Sequence, residues 1–324
     1  MTSANPSLLF FGTPEFALPA LQALINAGYR MVGVVTRPDE PAGRKRMLTP
    51  PPVKILAQQR GIPVFQPEKL DARDFASGKI PSADLFVVAA YGKIIPKAVL
   101  DLPRLDALNI HPSLLPRWRG PSPIQAAILA GDAETGVTIM QMDAQMDHGP
   151  IVAVRQSEMS NAPILTSKIT YPELHDTLAI VGAELLLETL PRWMAGEITP
   201  APQDESQATY CKLLTRNDGR IDWTKPAEEI ERMIRAFRPW PGAWTIWRSA
   251  SGERRINMED ADAVAAAPPA GKSGLVWQNP THPLLIQTGL GSLVIKKLRL
   301  EGKNTTDAAS FLRGYPALIG AVFT

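Results

Sequence analysis

The stretch Ser7–Gly28, SLLFFGTPEFALPALQALINAG, decides the fold of this chain. Its first six residues are a short apolar run that ends in glycine, which is typical of a buried β-strand. Phe16, Leu21 and Leu24 then recur at helical spacing, and Gly28 supplies a stop for a helix. The stretch therefore predicts a strand followed directly by a helix.

Three later runs repeat the strand pattern: MVGVVT (Met31–Thr36), DLFVVAAY (Asp84–Tyr91) and ALNIH (Ala107–His111). Strands that alternate with helical segments predict an α/β domain whose mostly parallel sheet is covered on both faces. Ligands of such sheets bind outside the carboxyl ends of the strands. The turn GTPEFA lacks the GxGxxG pattern, so we do not expect dinucleotide binding.

The 324 residues are enough for two domains, and the composition changes near Glu197. The segment GEITPAPQDESQATYCKL is rich in proline, glutamine and serine and indicates a linker. Beyond it, RIDWTKPAEEIERMIRAF predicts a helix, AWTIW, SGLVWQ, PLLIQT and SLVIKKLRL predict short strands, and DADAVAAAPPAGKSG predicts a loop. Short strands with frequent turns favour an OB-like β-barrel. The predicted divisions are a first domain at 1–196, a linker at 197–212 and a β-barrel domain at 213–324.

Composition excludes several classes of protein. Hydrophobic residues make up 45% of the chain and charged residues 20%, and no apolar run reaches the roughly 18 residues that a membrane span needs. The first residues lack the features of a secretory signal, so we expect a cytoplasmic protein. Cys211 is the single cysteine and has no partner for a disulfide or a CxxC metal site. The net charge of +2 gives no global attraction for nucleic acid, so such binding would depend on the local clusters Gly43–Arg46 and Ile295–Lys303.

The stretch LNIHPSLLPRWRG, Leu108–Gly120, carries the candidate chemistry. Asn109 and His111 alternate on a predicted strand, so their side chains point to the same face. An amide and an imidazole can both donate to an oxyanion, although this spacing alone is more typical of a hydrogen-bonded core pair. The prolines that follow predict a rigid loop at the strand end. Downstream, Asp147 lies in a glycine-terminated turn from which its carboxylate could return to His111.

With these residues the chain resembles the folate-dependent formyltransferases, and among them those that act on methionyl-tRNA. The resemblance rests on FFGTPEFALPAL, RPDEPAGRKRMLTPPPVK, VVAAYGKIIPKAVL, NIHPSLLPRWRGPSPIQAAILAGDAETGVTIMQMDAQMDHGPI and IDWTKPAEEIERMIRAFRPWPGAW. It implies a Rossmann-like formyltransferase domain that transfers the formyl group of 10-formyltetrahydrofolate to the methionine of initiator tRNA. It also implies a catalytic trio of Asn109, His111 and Asp147, direct attack by the amine, and no metal.

The resemblance further implies binding residues. Folate is placed along Ser113, Leu114, Leu115 and Pro116, with the backbone of Lys93, Ile94 and Ile95 beside it. The tRNA is placed against Arg44, Lys45 and Arg46 in a basic loop and against Lys296, Lys297 and Arg299 in the second domain. Relatives usually carry threonine where this chain has His148, which leaves that residue open as a substrate contact or as a tolerated change in an exposed turn.

Two other functions stay open at this point. The same catalytic half could formylate a small amine, and an inactive version could serve as an RNA-binding protein. The second domain and the basic loop favour a polyanionic acceptor, and the intact trio argues against loss of activity. The expected partners are therefore initiator methionyl-tRNA and folate, with no membrane, and we expect a monomer.

Overall fold

The computed structural model describes residues 6–42, 47–156, 158–159, 162–163, 168–249, 252–266, 268 and 271–324. These residues divide into two compact units. The first comprises the described residues of Met1–Pro123, Ala133–Ile164 and Leu174–Lys212, and the second those of Ile124–Asp132, Leu165–Glu173 and Leu213–Thr324. The predicted domain limits stay a prediction, because the two units reflect packing and not independent folding.

A seven-stranded sheet forms the centre of the first unit. The strands up to residue 163 are β1 (Ser7–Gly12), β2 (Arg30–Val35), β3 (Glu40–Ala42), β4 (Met47–Thr49), β5 (Val64–Phe65), β6 (Leu85–Ala89), β7 (Ala107–His111), β8 (Gly136–Gln141), β9 (Ile151–Gln156), β10 (Glu158–Met159) and β11 (Ala162–Pro163). The sheet has the order β5-β2-β1-β6-β7-β8-β9, while β3 pairs with β4 and β10 with β11 as separate ribbons.

The strand directions confirm a mostly parallel sheet, with one difference at its edge. Every pairing from β5 to β7 is parallel, whereas β8 is antiparallel to both β7 and β9. The chain enters β8 on the side where β7 ends, because it has not crossed back over the sheet. The carboxyl end of β7 therefore lies beside the amino end of β8, with His111 opposite Thr138.

Helices of the first unit pack on this sheet and bury its apolar side chains. The helices up to residue 194 are α1 (Leu18–Asn26), α2 (Pro52–Gln59), α3 (Ala72–Ala76), α4 (Lys97–Leu100), α5 (Pro123–Ala130) and α6 (Tyr171–Met194). Residues 124–130 of α5 and 171–173 of α6 belong to the second unit. Leu9 and Phe11 of β1 are fully buried in a cluster with Phe86 of β6 and with Phe75 and Val99 of the helices. Burial of strands on both faces explains why they read in sequence as continuous apolar runs.

An antiparallel sheet forms the second unit together with α7 (Ala227–Ala236) and α8 (Ala308–Gly314). Its strands are β12 (Ala243–Ser249), β13 (Gly252–Val264), β14 (Val276–Trp277), β15 (Leu285–Gln287), β16 (Ser292–Leu300) and β17 (Thr306–Asp307). The order is β12-β13-β16-β15-β14, with β17 also on β16. Each of these pairings is antiparallel. No pairing of described residues joins β12 to β14, so the closed OB-like barrel stays a prediction.

One sequence interpretation in this unit was wrong. The segment DADAV, predicted as the start of a loop, is the last part of β13, which pairs with β12 on one side and β16 on the other. Ala261 is buried there, while Asp262 pairs with Lys296 of the neighbouring strand. Small and acidic residues can occupy a strand when its neighbours supply both the core and the counter-charges.

Candidate active site

Strand β7 presents two polar side chains at the carboxyl edge of the parallel sheet. Asn109 lies between Val88 of β6 and Met140 of β8, and His111 ends the strand two residues later. Asn109 is 9% exposed and His111 is 4% exposed. Among the described residues, no hydrogen-bond partner is found for the Asn109 side chain, so its amide is free to donate to a ligand.

The ring of His111 lies between a carbonyl oxygen and a carboxylate. Its Nε2 atom is 3.0 Å from Trp118 O, and because a carbonyl oxygen can only accept, this hydrogen bond requires a proton on Nε2. Its Nδ1 atom faces Asp147 Oδ1 at 3.6 Å, which is longer than a hydrogen bond. The structure thus brings together the His111 ring and the Asp147 carboxylate, as predicted from the sequence, without a hydrogen bond between Nδ1 and Oδ1.

Asp147 is held in an uncommon backbone conformation at this edge. Its φ is +50°, in the left-handed region that aspartate and asparagine tolerate better than most residues. Its Oδ2 atom accepts a hydrogen bond from Gly120 N at 2.8 Å, while Oδ1 points to His111. One carboxylate oxygen is therefore anchored to the loop that follows β7, and the other is directed at the ring.

The segment 201–211, which falls within the predicted linker, is hydrogen-bonded to that same loop. Arg119 N donates to Thr209 O at 2.9 Å, and Cys211 N donates to Arg119 O at 2.8 Å. Trp118 N donates to Thr209 Oγ1 at 2.9 Å, and Thr209 N donates to Pro116 O at 3.2 Å. Segment 201–211 is thus hydrogen-bonded along the loop that follows β7.

The side chain of Arg119 also binds segment 201–211. Arg119 is only 1% exposed, and its Nε and Nη2 atoms donate to Gln203 Oε1 at 3.0 and 2.8 Å. Nη1 and Nη2 donate to the two oxygens of Glu205 at 3.0 and 2.6 Å, and Nη1 also donates to Tyr210 OH at 3.2 Å. The hydrogen bonds from Arg119 lower the pKa of Glu205, and the carboxylate in turn raises the pKa of Arg119. The pair is therefore charged at neutral pH.

Gln203 connects Arg119 to the backbone around Asp147 by hydrogen bonds. Its Nε2 atom donates to Asp147 O at 2.9 Å and to Gly149 O at 2.8 Å. The neighbouring His148, left open by the sequence, lies with Nδ1 2.6 Å from Asp143 Oδ2 and Nε2 3.5 Å from Glu205 Oε1. The whole turn is therefore tied by polar contacts to segment 201–211.

Two glycines make these close approaches possible. A Cβ atom on Gly120, whose φ is +116°, would lie 2.3 Å from Cys211 O. A Cβ atom on Gly149 would lie 1.9 Å from Gln141 O. Since real Cβ atoms do not approach backbone oxygens so closely, any larger residue at either position must displace the backbone. Glycine is therefore required where the loop meets segment 201–211 and where the Asp147 turn meets β8.

The loop Ser113–Pro116 is the first part of the folate prediction. Most of its backbone N–H and C=O groups are hydrogen-bonded within the protein. Ser113 O accepts from Thr138 Oγ1 at 2.7 Å, and the same Oγ1 accepts from Leu115 N at 3.1 Å. In the described part of the chain, the Leu114 N–H and the Leu115 C=O have no hydrogen-bond partner. Among the described residues, these are the only two backbone groups of the loop that are free to form hydrogen bonds with a ligand.

The segment Lys93–Ile95, the other part of the folate prediction, is more open. Lys93 Nζ donates to Pro67 O at 3.0 Å and to Glu68 O at 2.8 Å, which fixes the segment from one side. Ile94 is 85% exposed, and within the described chain the backbone N–H and C=O groups of the segment have no partner. The segment follows β6, whose Val88 pairs with Asn109 of β7.

Two groups that act as nucleophiles in other proteins are held neutral here. Burial raises the pKa of the Tyr91 hydroxyl to about 12. Burial also raises the pKa of the Cys211 thiol, whose Sγ accepts from Ser122 N at 3.3 Å. Neither group is ionised at neutral pH, so neither is an activated nucleophile. In the part of the chain that the structure describes, no group of three or more His, Cys, Asp or Glu residues could hold a metal ion.

The predicted tRNA-binding residues differ in their placement. Arg44, Lys45 and Arg46 lie outside the described residues. Lys296 pairs with Asp262 at 2.6 Å and Arg299 pairs with Glu259 at 2.8 Å, so both charges are partly balanced within the second unit. Lys297 is exposed, and no acidic partner for it is found among described residues. Of these three, only Lys297 presents a charge without a counter-ion.

Comparison with known sequences assigns the family. The chain matches the profile described as Formyl transferase over residues 7–189 and the profile described as Formyl transferase, C-terminal domain, over residues 213–316. The methionyl-tRNA formyltransferase of Chloroflexus aggregans is 47% identical over 312 residues, which cover 96% of this chain and 97% of that relative. The chain belongs to the methionyl-tRNA formyltransferase family. Members from Halorhodospira halophila and Myxococcus xanthus are 45% and 43% identical and cover 95% and 98% of this chain, which spans 96% and 98% of theirs.

Solved structures with the same fold are more distant in sequence. HypX from Aquifex aeolicus, solved in complex with tetrahydrofolic acid, matches 95% of this chain with a TM-score of 0.62 at 18% identity. The match covers 47% of HypX, so this chain spans about half of that protein. An N-formyltransferase from Helicobacter canadensis, solved with folinic acid and dTDP-3-aminofucose, matches 89% of this chain and 98% of its own, with a TM-score of 0.61 at 15% identity. These likenesses show a shared fold.

The polar contacts between Arg119 and segment 201–211 are not predicted by any motif in the sequence. Arg119 was quoted only as part of a motif, and Gln203 and Glu205 lay in a segment interpreted as a linker. The available signal was Arg119 itself, because an arginine inside a proline-fixed loop next to a catalytic strand requires a partner. Its partners lie more than 80 positions away in the chain, at distances in sequence that no local pattern reports.

Proposed function

We propose that this chain transfers the formyl group of 10-formyltetrahydrofolate to the α-amino group of methionine on initiator methionyl-tRNA. The observation that carries the proposal is the approach of a free Asn109 amide, the His111 ring and the Asp147 carboxylate at the end of β7. Relatives named for this activity align with 95% to 98% of the chain, which supports the choice of acceptor. In this reaction the amine forms a bond to the formyl carbon, and the bond from that carbon to the folate nitrogen breaks. The amine loses a proton and the folate nitrogen gains one, which releases tetrahydrofolate.

Asn109 and His111 have the donors that such a transfer needs. As the amine attacks, negative charge develops on the formyl oxygen, and preorganised donors aimed at that oxygen accelerate the step. The Asn109 amide is unpartnered among the described residues. The Nε2 atom of His111 is already bonded to Trp118 O, so the ring would donate to the oxyanion from Nδ1, which lies 3.6 Å from Asp147 Oδ1 and makes no hydrogen bond to it.

Asp147 would stabilise the positive charge that the His111 ring carries when Nδ1 also holds a proton. At 3.6 Å, Asp147 Oδ1 is too far for a hydrogen bond to Nδ1, so the carboxylate would act on the ring through its charge. A carboxylate at this edge can also take part in removing the proton that the methionyl amine sheds. No covalent enzyme intermediate is required, in keeping with the neutral Cys211 and Tyr91.

The donor fits the groups on either side of this trio. When bound, 10-formyltetrahydrofolate supplies the formyl group in an activated form. Its pterin presents amide-like edges, and the free backbone groups of Lys93–Ile95, Leu114 and Leu115 offer complementary donors and acceptors. Exposed Ile94 adds apolar surface beside them. Ser113 and Pro116 shape the loop, since the Ser113 hydroxyl donates to Arg117 O at 2.6 Å and Pro116 O accepts from segment 201–211.

The tRNA acceptor would be bound by cationic side chains. We assign Arg44, Lys45 and Arg46 to the acceptor end, and Lys297 to phosphate contacts, because it lacks an acidic partner among the described residues. Lys296 and Arg299 would take part only if a phosphate replaced Asp262 or Glu259 as their partner. Each phosphate contact that is lost should weaken binding and lower its dependence on salt.

The proposal is tested by incubating the purified protein with 10-formyltetrahydrofolate and, in separate reactions, with methionyl initiator tRNA or with an amino-sugar nucleotide. Mass spectrometry of the acceptor identifies the product, and release of tetrahydrofolate gives the rate. We expect formyl-methionine on the tRNA and no formylated sugar. Formylation of the sugar alone would replace the acceptor, and no transfer to either would overturn the function.

A further inference from the structure

We infer that Arg119 and Gln203 are positioning residues, which hold the Asp147 carboxylate against His111 by gripping the backbone of its turn. Neither residue touches His111, and the inference rests on the proposed function only for its readout. It assigns a role in the reaction to segment 201–211, whose composition had indicated a linker. The residues in the chain of contacts are Glu205, Arg119, Gln203, Asp147 and His111.

The side-chain amide of Gln203 joins Arg119 to the Asp147 turn, and its oxygen and nitrogen cannot exchange places. Its Oε1 atom receives two donors from Arg119, and its Nε2 atom donates to the carbonyl oxygens of Asp147 and Gly149. Arginine can only donate and carbonyl oxygens can only accept, so a flipped amide would lose all four contacts. The orientation of the amide is therefore fixed by chemistry on both sides.

Arg119 supplies a fixed point for that adaptor. Its guanidinium group is almost fully buried, and its planar fork is shared between Gln203 on one edge and Glu205 on the other. Because a buried guanidinium is costly when unpaired, Arg119 keeps these partners together, and it cannot move without breaking several charged hydrogen bonds. Its own backbone is also bonded on both sides, to Thr209 O and Cys211 N.

The turn at Asp147 needs such a grip. Asp147 has a positive φ, and the preceding Met146 is 61% exposed, so Met146 adds little packing to the turn. Among the described residues, the carboxylate itself accepts a hydrogen bond only at Oδ2, from Gly120 N. Gln203 binds the carbonyl oxygens of Asp147 and Gly149, one at the residue itself and one two positions later. Loss of the grip would let Oδ1 drift from His111, and a displacement near 1 Å at a reacting group can cost about 10²-fold in rate.

The variant Gln203→Glu tests this directly. The change is isosteric and keeps an acceptor for Arg119, but it places an oxygen where Nε2 now donates, against the carbonyl oxygens of Asp147 and Gly149. We expect kcat for formyl transfer to fall by about 10²-fold with little change in KM for either substrate. The matched control is Gln207→Glu, the same change at an exposed residue of the same segment. Its amide donates to Asp204 and not to the Asp147 turn, so both constants should stay near wild type.

A double variant separates positioning from a general loss of structure. If Gln203 acts through the Asp147 carboxylate, adding Gln203→Glu to Asp147→Asn should change kcat by less than about threefold, because the group to be positioned is already neutralised. Losses that multiply in the double variant, an unchanged kcat in Gln203→Glu, or an effect confined to KM would each overturn the inference. If Gln203→Glu does not fold, Gln203→Met removes the grip without adding a charge and is measured in the same cycle.

The outcome distinguishes this inference from the proposed function. The wild-type protein is first assayed with methionyl-tRNA and with the amino-sugar nucleotide, and the variants are measured on the acceptor that it formylates. Formylation of the sugar alone removes the proposed acceptor and leaves the positioning test intact. Failure of wild type on both acceptors removes both ideas. Full activity of wild type and of Gln203→Glu removes the positioning role alone.

Discussion

Replacing Asp147 by asparagine removes the charge of the candidate trio while retaining its geometry. Asparagine tolerates the positive φ of this position and can still accept the hydrogen bond from Gly120 N. At 3.6 Å and an effective dielectric constant of about 20, the attraction between this carboxylate and a charged His111 ring is about 5 kcal/mol. That attraction bounds the expected fall in kcat at about 10³-fold, and we expect a loss of 10² to 10³.

The measurement is steady-state kinetics of formyl transfer with both substrates varied, with circular dichroism to confirm that the variant is folded. KM should change little, because the charge acts mainly where the ring becomes positive. The matched control is Asp106→Asn, which makes the same change at another aspartate with positive φ, before the amino end of β7. A normal kcat for Asp147→Asn, or an equal loss for Asp106→Asn, would refute the electrostatic role of the carboxylate.

Three further outcomes are expected. Asn109→Ala should lower kcat by about 10²-fold and leave the melting temperature almost unchanged, since the amide has no partner among the described residues, and a large fall in melting temperature would show a structural role instead. Gly120→Ala should destabilise the first unit by about 2 kcal/mol or more, because its Cβ would lie 2.3 Å from Cys211 O; thermal unfolding measures this, and an unchanged transition would contradict the close approach. The hydrogen bonds from Ser7 and Arg104 lower the pKa of Asp84 to about 2, below its unfolded value, so the resulting stability is present above about pH 4 and is lost as pH falls through about 2. Asp84→Asn should therefore lower the free energy of unfolding by about 1 kcal/mol at pH 7, after allowance for the partly exposed side chain, and by almost nothing near pH 2. Urea unfolding at both pH values measures this, and an equal loss at both would contradict the linkage.

The parallel part of the fold could be predicted because each strand there is a compact apolar run. ALNIH was assigned to a strand at Ala107–His111, and β7 has those bounds. The direction of β8 could not be predicted, because GVTIMQ is as buried as a parallel strand and its composition carries no information on direction. Strand β13 was missed in part, because small and acidic residues in DADAV hide an inward-facing pattern that only its neighbours complete.

The candidate site was predictable to the extent that its residues lie in recognisable motifs. Asn109 and His111 share a strand, and Asp147 follows β8, so sheet geometry brings them to one edge. The supporting contact between Arg119 and Gln203 joins positions that are 84 residues apart and involves a segment without periodicity. Such contacts form only when a polar segment packs on the folded domain, so no local sequence pattern predicts them.

The path of segment 201–211 also sets where the protein can be divided. A shortened protein that stops at residue 196 would discard Gln203, Glu205 and Tyr210, which among the described residues accept the hydrogen bonds of the Arg119 side chain. The remaining half would keep all three residues of the trio but would leave the Arg119 guanidinium without these partners. A cut after Lys212 retains them.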